Sequence, residues 1–303
     1  MSIRRVITIL SGSDDDAGLL EQALPLCQRW GAGMDALFVR RNVASGADFL
    51  GNAFSTYGME AVLEALDDAA AQASLRAHEA FEAIADDAPD KVMGRYLEFI
   101  GLPGEAMAVE GRLCDLVMLA KPDEHDAYAQ LIAIEAAARE SGRPVLVLPA
   151  GREATNGFNR VVIAWDGSLE AARAVSGAMP MLDAAKSVHV VHAGSESGSA
   201  SSLGALARYL ELHGVPCTTE SVDPKSGVPQ ALRSAADEAT ADLFVMGGFG
   251  APGWQRVVGR DHGPAQANPL RHPPCPLGPA VPIDWRSREV CIAPAVNCPA
   301  GTG

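Results

Sequence analysis

One segment of this chain occurs twice, about half a chain length apart, and this repeat limits the folds that the chain can adopt. Residues 4–13 read RRVITILSGS and residues 159–168 read NRVVIAWDGS. Each is a short β-branched run that ends in a Gly-Ser turn, and an amphipathic helical stretch follows it, at 19–30 and 169–182. Self-similarity at this interval predicts a tandem repeat of one domain rather than a single larger fold.

The length and charge of the chain limit its class and its partners. Its 303 residues suffice for two domains that each bury a core. The formal net charge of −14 disfavours nucleic acid and anionic membranes as partners, because both need clustered Lys and Arg. The sequence has neither a membrane-length apolar run nor a secretory signal, so we expect a cytoplasmic protein. The six cysteines form no C-x-x-C pair and are expected to be reduced thiols.

The composition changes in kind near residue 251. The residues from there onward hold half of the 20 prolines and half of the 6 cysteines. We therefore predict a first domain at 1–150, a linker at 151–158, a second domain at 159–250 and an atypical Pro-rich tail at 251–303. The excess of Pro, Arg and Gly in the tail also fits out-of-frame reading of GC-rich DNA, so a native tail and a frame-shifted tail both stay open.

Short apolar runs alternate with helical stretches in both halves of the chain. The runs are continuous rather than alternating, which is typical of parallel strands covered on both faces. The alternation predicts an α/β protein with two tandem doubly wound parallel-sheet domains. In the second half, residues 193–202 are rich in Gly and Ser without periodicity and are predicted to be a loop. A fifth strand there would have to come from the tail, where residues 273–276 are a weak candidate because of their prolines.

Several segments together resemble tandem universal stress proteins. In the second half they are VIAWDGS at 162–168, HGV at 213–215 and ADLFVMGGFG at 241–250. In the first half they are EGRLCDLVML at 110–119 and SGRPVLVLP at 141–149. The resemblance covers about residues 3–250 and implies two domains of the adenine nucleotide alpha hydrolase-like fold in a stress-response protein.

The resemblance also implies a site for ATP or a related nucleotide, and Mg²⁺ would help to offset the repulsion between its phosphates and the acidic protein. Many members of the family carry an Asp after the first strand and a G-x-x-G that is followed, nine residues later, by G-[ST]. Asp166 matches the Asp, and Gly247 and Gly250 match the G-x-x-G. Gly259 lies one position early, and Arg260 follows it in place of Ser or Thr. Half of the phosphate cradle therefore departs from the family pattern.

Each of these residues also has a plain structural interpretation. An Asp-Gly-Ser sequence suits a tight turn after a strand, and glycines suit a turn between a strand and a helix. On this interpretation the chain is a ligand-free interaction protein with a degenerate site. In the first copy, Ser11 occupies the place of Asp166, and the fourth strand is followed by no glycine pair. We therefore expect the first copy to be structural and to bind no nucleotide.

No sequence motif indicates catalysis or a metal centre. The chain has no G-x-S-x-G elbow, no P-loop and no H-E-x-x-H, so we predict a binding protein rather than an enzyme. His189 and His192 lie three apart on a predicted strand, so they point to opposite faces and cannot share a metal ion. The Cys and His residues of the tail match no zinc spacing. We expect the two copies to pair as a pseudo-dimer, and a homodimer of whole chains stays open.

Overall fold

The structure is a computed structural model that describes residues 2–40, 56–89, 92–122, 127–149, 157–194, 196–248 and 289–293. In the first copy the strands are β1 (Arg5–Leu10), β2 (Gly33–Arg40), β3 (Met93–Ile100), β4 (Leu116–Ala120) and β5 (Val145–Leu148). Its helices are α1 (Asp15–Trp30), α2 (Thr56–Asp87), α3 (Pro103–Val109) and α4 (Ala127–Glu140).

The second copy repeats this alternation. Its strands are β6 (Arg160–Ala164), β7 (Ser187–Ala193), β8 (Cys217–Val222) and β9 (Leu243–Gly247), and β10 (Glu289–Ala293) follows in the tail. Its helices are α5 (Leu169–Leu182), α6 (Glu196–Leu212) and α7 (Val228–Glu238). None of the helices in the described ranges is long and apolar enough to cross a membrane.

All ten strands lie in one sheet with the order β3-β2-β1-β4-β5-β10-β9-β6-β7-β8. The first five pair in parallel, as do β6 to β9. β10 joins the two sets, because it runs parallel to β9 and antiparallel to β5. When β10 is counted as the fifth strand of the second copy, the order reads the same from either edge. The predicted fold class, two tandem α/β units with parallel sheets, is confirmed.

The position of β10 departs from the sequence prediction. A strand of the tail does complete the second set of strands, but it is Glu289–Ala293. The residues that we predicted for it, 273–276, lie outside the described part of the chain. Glu289–Ala293 has no proline and contains Val290 and Ile292, β-branched residues that suit a strand with neighbours on both sides.

Each copy contains the same hydrogen-bonded contact at the amino ends of its central strands. Asp115 Oδ2 accepts hydrogen bonds from the backbone N–H groups of Arg4 and Arg5, at 2.8 and 3.0 Å. Asp242 Oδ1 accepts in the same way from Asn159 and Arg160, at 3.0 and 2.8 Å. The same anchoring of the first strand to the start of the fourth therefore occurs twice, as a tandem repeat requires.

Helices cover both faces of the sheet. On one face, α1, α2, α5 and α6 pack on a cluster of buried side chains that runs through both copies and includes Leu20, Leu26 and Leu146. On the other face, α3, α4 and α7 pack on a second cluster that includes Ile7, Ile134 and Phe244. This double cover explains the continuous apolar runs that the strands show in the sequence.

Helix α6 corrects the sequence prediction for residues 193–202. These residues were predicted to be a loop, but α6 already begins at Glu196. The helix is fixed by burial further along, where Leu203, Leu206 and Leu210 follow one another at helical spacing. Ser202 Oγ also accepts a hydrogen bond of 2.8 Å from Trp165 Nε1. These tertiary contacts override the low helix propensity of the Ser-rich stretch.

Candidate functional site

The candidate site lies at the carboxyl ends of β6 and β9, where the strand order of the second copy reverses direction. β6 pairs with β7 on one side and with β9 on the other, with Ile163 opposite Val245. In open α/β sheets, ligands bind in the crevice outside this switch point. The structure thus brings Asp166, which follows β6, and Gly247, which ends β9, to the same edge of the sheet. Gly250 and Gly259 lie outside the described residues.

The turn after β6 combines an exposed carboxylate with a helix cap. Asp166 is exposed, and its Oδ1 accepts a hydrogen bond of 2.9 Å from the backbone N–H of Ser168. Gly167 has a φ of +77°, which favours glycine. Ser168 caps α5, because its Oγ accepts from Ala171 N at 3.1 Å. Within the described residues, Asp166 Oδ2 has no hydrogen-bond partner and is free to accept one from a ligand.

Gly247 allows the end of β9 to approach the first turn of α5. A Cβ atom at this position would lie 2.6 Å from Ala171 N and 2.9 Å from the carbonyl carbon of Glu170. Only glycine tolerates this proximity to backbone atoms. The approach places the end of β9 beside the amino end of α5, which carries partial positive charge and N–H groups suited to a negative ligand.

Two larger side chains frame the same edge. Trp165 is half-buried and packs against the core, while its Nε1 donates to Ser202 Oγ. His192 Nδ1 lies 2.9 Å from the carbonyl oxygen of Trp165. The ring of His189 instead contacts β8, with Nδ1 2.7 Å from Thr218 Oγ1. The two histidines therefore have separate partners, and no group of three metal-ligating side chains occurs in the described ranges.

The corresponding turn of the first copy holds a carboxylate that the sequence did not reveal. Asp16 lies in the first turn of α1 and is 1% exposed. Its Oδ1 accepts from Ser11 N at 2.9 Å and from Ser11 Oγ at 3.0 Å, and its Oδ2 accepts from Gly12 N at 2.7 Å. Burial raises the pKa of Asp16, and these hydrogen bonds oppose that shift in part. Nothing in the run of three aspartates at 14–16 distinguishes this residue in the sequence.

Helix α2 also closes the turn of the first copy. Gly12 has a φ of +77°, and a Cβ atom there would lie 2.6 Å from Ala73 Cβ. Arg76 Nε donates a hydrogen bond of 2.7 Å to the carbonyl oxygen of Gly12. In the second copy, the nearest atom to a Cβ at Gly167 is Ser202 Oγ, at 3.2 Å. The first turn is therefore occupied and covered, while Asp166 of the second faces solvent.

Comparison with known proteins identifies the fold. No family model matches the chain, and no curated protein does. Three solved structures match nearly its whole length. A universal stress protein from Archaeoglobus fulgidus is 14% identical with a TM-score of 0.57, and the match covers 97% of each chain. A functionally unknown protein from Pseudomonas aeruginosa is 13% identical with a TM-score of 0.51, covering 96% of this chain and 92% of that one.

The third structure, a putative universal stress protein from Pseudomonas aeruginosa UCBPP-PA14, is 13% identical with a TM-score of 0.50. It covers 96% of this chain and 93% of that one. At such low identity the likeness concerns the fold alone. Since the matches extend over both copies, the chain has the universal stress protein fold in tandem, as the sequence resemblance predicted.

Proposed function

We propose that this protein is a cytoplasmic stress-response protein of the universal stress type, and that its second domain binds ATP or a related nucleotide. The observation that carries the proposal is the exposed carboxylate of Asp166 at the switch point, beside the close approach of Gly247 to the first turn of α5. The first domain, with its turn filled by Asp16 and covered by α2, has a structural role.

The chemistry of the two residues is complementary. Asp166 Oδ2 accepts hydrogen bonds from hydroxyl or amino groups of a nucleoside, while Oδ1 stays on Ser168 N and holds the side chain in place. A charge-assisted bond of this kind contributes about 1.5–3 kcal/mol. Gly247 brings the end of β9 against the first turn of α5, and the amino end of a helix favours the negative charge of phosphate oxygens.

The charge of the protein opposes a polyphosphate ligand. With a formal net charge of −14, the chain repels ATP at a distance, and this repulsion weakens as salt is added. Mg²⁺ bound to the phosphates lowers the negative charge of the ligand, and it therefore also weakens the repulsion between the ligand and the protein. We therefore propose that the ligand binds as its Mg²⁺ complex, and we expect affinity to depend on Mg²⁺ more strongly than on bulk salt.

Calorimetric titration with Mg-ATP tests the proposal through Asp166→Ala. Loss of the nucleoside contact is expected to weaken binding about tenfold to a hundredfold. Asp183→Ala is the matched control, because Asp183 is also exposed but lies at the opposite end of α5. Unchanged affinity in Asp166→Ala, or equal losses in both variants, contradicts a nucleoside contact at Asp166.

A ligand-free interaction protein is the second candidate, and one observation favours it. Helix α2 presents Val62, Leu66 and Leu75 to solvent, with 37%, 47% and 50% of each residue exposed. Val62 and Leu66 lie one turn apart on the same side of the helix, and adjacent exposed apolar side chains occur at surfaces that meet other proteins. Absence of binding heat from the wild-type protein with ATP, ADP and AMP, each with Mg²⁺, would favour this candidate.

The arrangement of the copies belongs to the proposal as well. We propose that they pair as a pseudo-dimer, which the symmetric strand order and the antiparallel pairing of β5 with β10 support. The proposed function involves no chemical step. It makes the protein a nucleotide-binding partner rather than an enzyme.

A further inference from the structure

The turns that follow β1 and β6 occupy equivalent positions in the two copies. Aligning residues 4–13 with 159–168 matches Gly12 with Gly167, and both have a φ of +77°. The same alignment matches Ser11 with Asp166, and Asp16 with Ala171. The two turns therefore share the φ of this glycine but carry their carboxylate at different positions.

In the first copy, two successive backbone N–H groups of this turn bind a carboxylate. Ser11 N donates to one oxygen of Asp16 at 2.9 Å, and Gly12 N donates to the other at 2.7 Å. Successive N–H groups that converge in this way form a concave site for an anion. The buried side chain of Asp16 shows what such a turn binds: a group with two oxygens and a negative charge.

In the second copy, the equivalent N–H groups have no such acceptor. Ala171, at the position of Asp16, has no carboxylate and is buried. Within the described residues, the N–H groups of Asp166 and Gly167 have no hydrogen-bond acceptor. The carboxylate of Asp166 itself accepts from Ser168 N and lies exposed.

We infer that the N–H groups of Asp166 and Gly167 form an anion site that takes phosphate oxygens of the nucleotide, and that Asp16 is the built-in occupant of the same site in the first copy. The residue at position 16 or 171 thus determines whether the turn is filled by the chain or is open to a ligand. This inference rests on the proposed function and adds to it a phosphate contact in the turn after β6.

The carboxylate of Asp166 gives the site an electrostatic signature. It lies in the same turn as the two N–H groups, so it repels a bare phosphate that binds to them. Asp166→Asn removes the charge and keeps an oxygen that can accept from Ser168 N. With a dielectric constant close to that of water, loss of one negative charge within the same turn is expected to strengthen phosphate binding about threefold to tenfold. The same substitution weakens the binding of ATP if the Asp166 carboxylate contacts the nucleoside.

Titration of the ¹⁵N-labelled full chain with inorganic phosphate tests the inference at the backbone. We expect a saturable chemical-shift change at the amide of Gly167, with a lower Kd in Asp166→Asn than in the wild type. Gly12 is the internal control, because Asp16 already occupies its N–H, and its amide should not respond. Chloride at matched ionic strength should move neither amide. The inference is overturned if the chemical shift of the Gly167 amide does not saturate with phosphate in either protein. It is also overturned if that shift changes only as much as the shift of the Gly12 amide.

A second pair of variants tests the role of position 171. Ala171→Asp supplies the carboxylate that the first copy has, and it is expected to abolish the response of Gly167 to phosphate. Ala172→Asp adds the same charge at the next residue, which is exposed, and should leave a response. Equal effects of the two variants contradict the assignment. If Ala171→Asp does not fold, the comparison of wild type with Asp166→Asn still decides.

Two results separate the anion site at Gly167 from the nucleotide site at Asp166. Saturable binding of inorganic phosphate at Gly167 without binding of ATP would leave the anion site and overturn the nucleotide proposal. Binding of ATP that depends on Asp166 but leaves the chemical shift of the Gly167 amide unchanged would support the nucleotide site and overturn the anion site.

Discussion

At the scale of single residues, the two copies differ in one aspartate each, which is exposed in the second copy and buried in the first. Asp166 follows its strand directly in an Asp-Gly-Ser turn, and this local pattern made it predictable from the sequence. Asp16 was missed because it lies among three consecutive aspartates and its role depends on which one turns inward. The cover on Gly12 comes from Ala73 and Arg76, about sixty residues further along the chain, and no local pattern predicts it.

Burial of Asp16 predicts how stability changes with pH. Its pKa in the folded protein lies above its value of about 3.9 in an unfolded chain. The folded state therefore binds the proton more readily. The contribution of Asp16 to the free energy of unfolding is largest below the unfolded pKa, and it falls as pH rises through the folded pKa.

Urea unfolding of the wild type and of Asp16→Asn between pH 3.5 and 7 measures this contribution, because the other titrating groups cancel in the difference. The stability of the wild type relative to the variant should fall with rising pH and then level off. A relative stability that instead rises with pH would show that the hydrogen bonds of the carboxylate outweigh its burial.

At the scale of elements, the pattern of apolar residues predicted the strands and helices but not every boundary. Helix α5 coincides with the predicted range 169–182, because Ser168 provides a local cap. Helix α6 was predicted to begin seven residues too late, since its first turns are Ser-rich and only the contact of Ser202 with Trp165 identifies them as part of the fold. Strand β10 was missed because its partners, β5 and β9, are distant in the sequence.

Two helical glycines provide a matched test of packing on α5 and α6. Gly204 of α6 is exposed and has open space around a Cβ atom, so Gly204→Ala should stabilise the protein by about 0.5–1 kcal/mol through helix propensity. A Cβ atom at Gly177 of α5 would lie 2.8 Å from Pro144 Cβ, in the first copy. In Gly177→Ala this contact should cancel the gain or reverse it. Equal stabilisation of both variants in thermal unfolding would show that α5 does not pack on Pro144 as described.

At the scale of the whole molecule, a single short strand completes the sheet between the two copies. β10 pairs through five residues with β9 and through three with β5. The repeat in the sequence predicted two similar units and, through the resemblance, their fold. It could not predict how the units join, because that depends on pairing between strands whose sequences carry no mark of their partners.

Truncation of the chain tests the role of β10. A chain that ends at Arg288 lacks β10 and leaves β5 and β9 with one edge each open to other strands. We expect this chain to unfold at a lower urea concentration. We also expect it to associate as protein concentration rises, because unpaired strand edges pair with other chains, and light scattering coupled to gel filtration measures this association. A chain that ends at Ala293 keeps β10 and should behave as the full chain. Identical behaviour of both truncated chains would rule out a role for β10 in closing the sheet.

In the proposed function the two copies differ, with an open nucleotide site in the second and a turn filled by Asp16 in the first. Native mass spectrometry of the full chain with Mg-ATP tests this difference most directly, because the method counts bound nucleotides. We expect one nucleotide per chain, a loss of that nucleotide in Asp166→Ala and its retention in Ser11→Ala. Two nucleotides per chain, or one that persists in Asp166→Ala and disappears in Ser11→Ala, would contradict it.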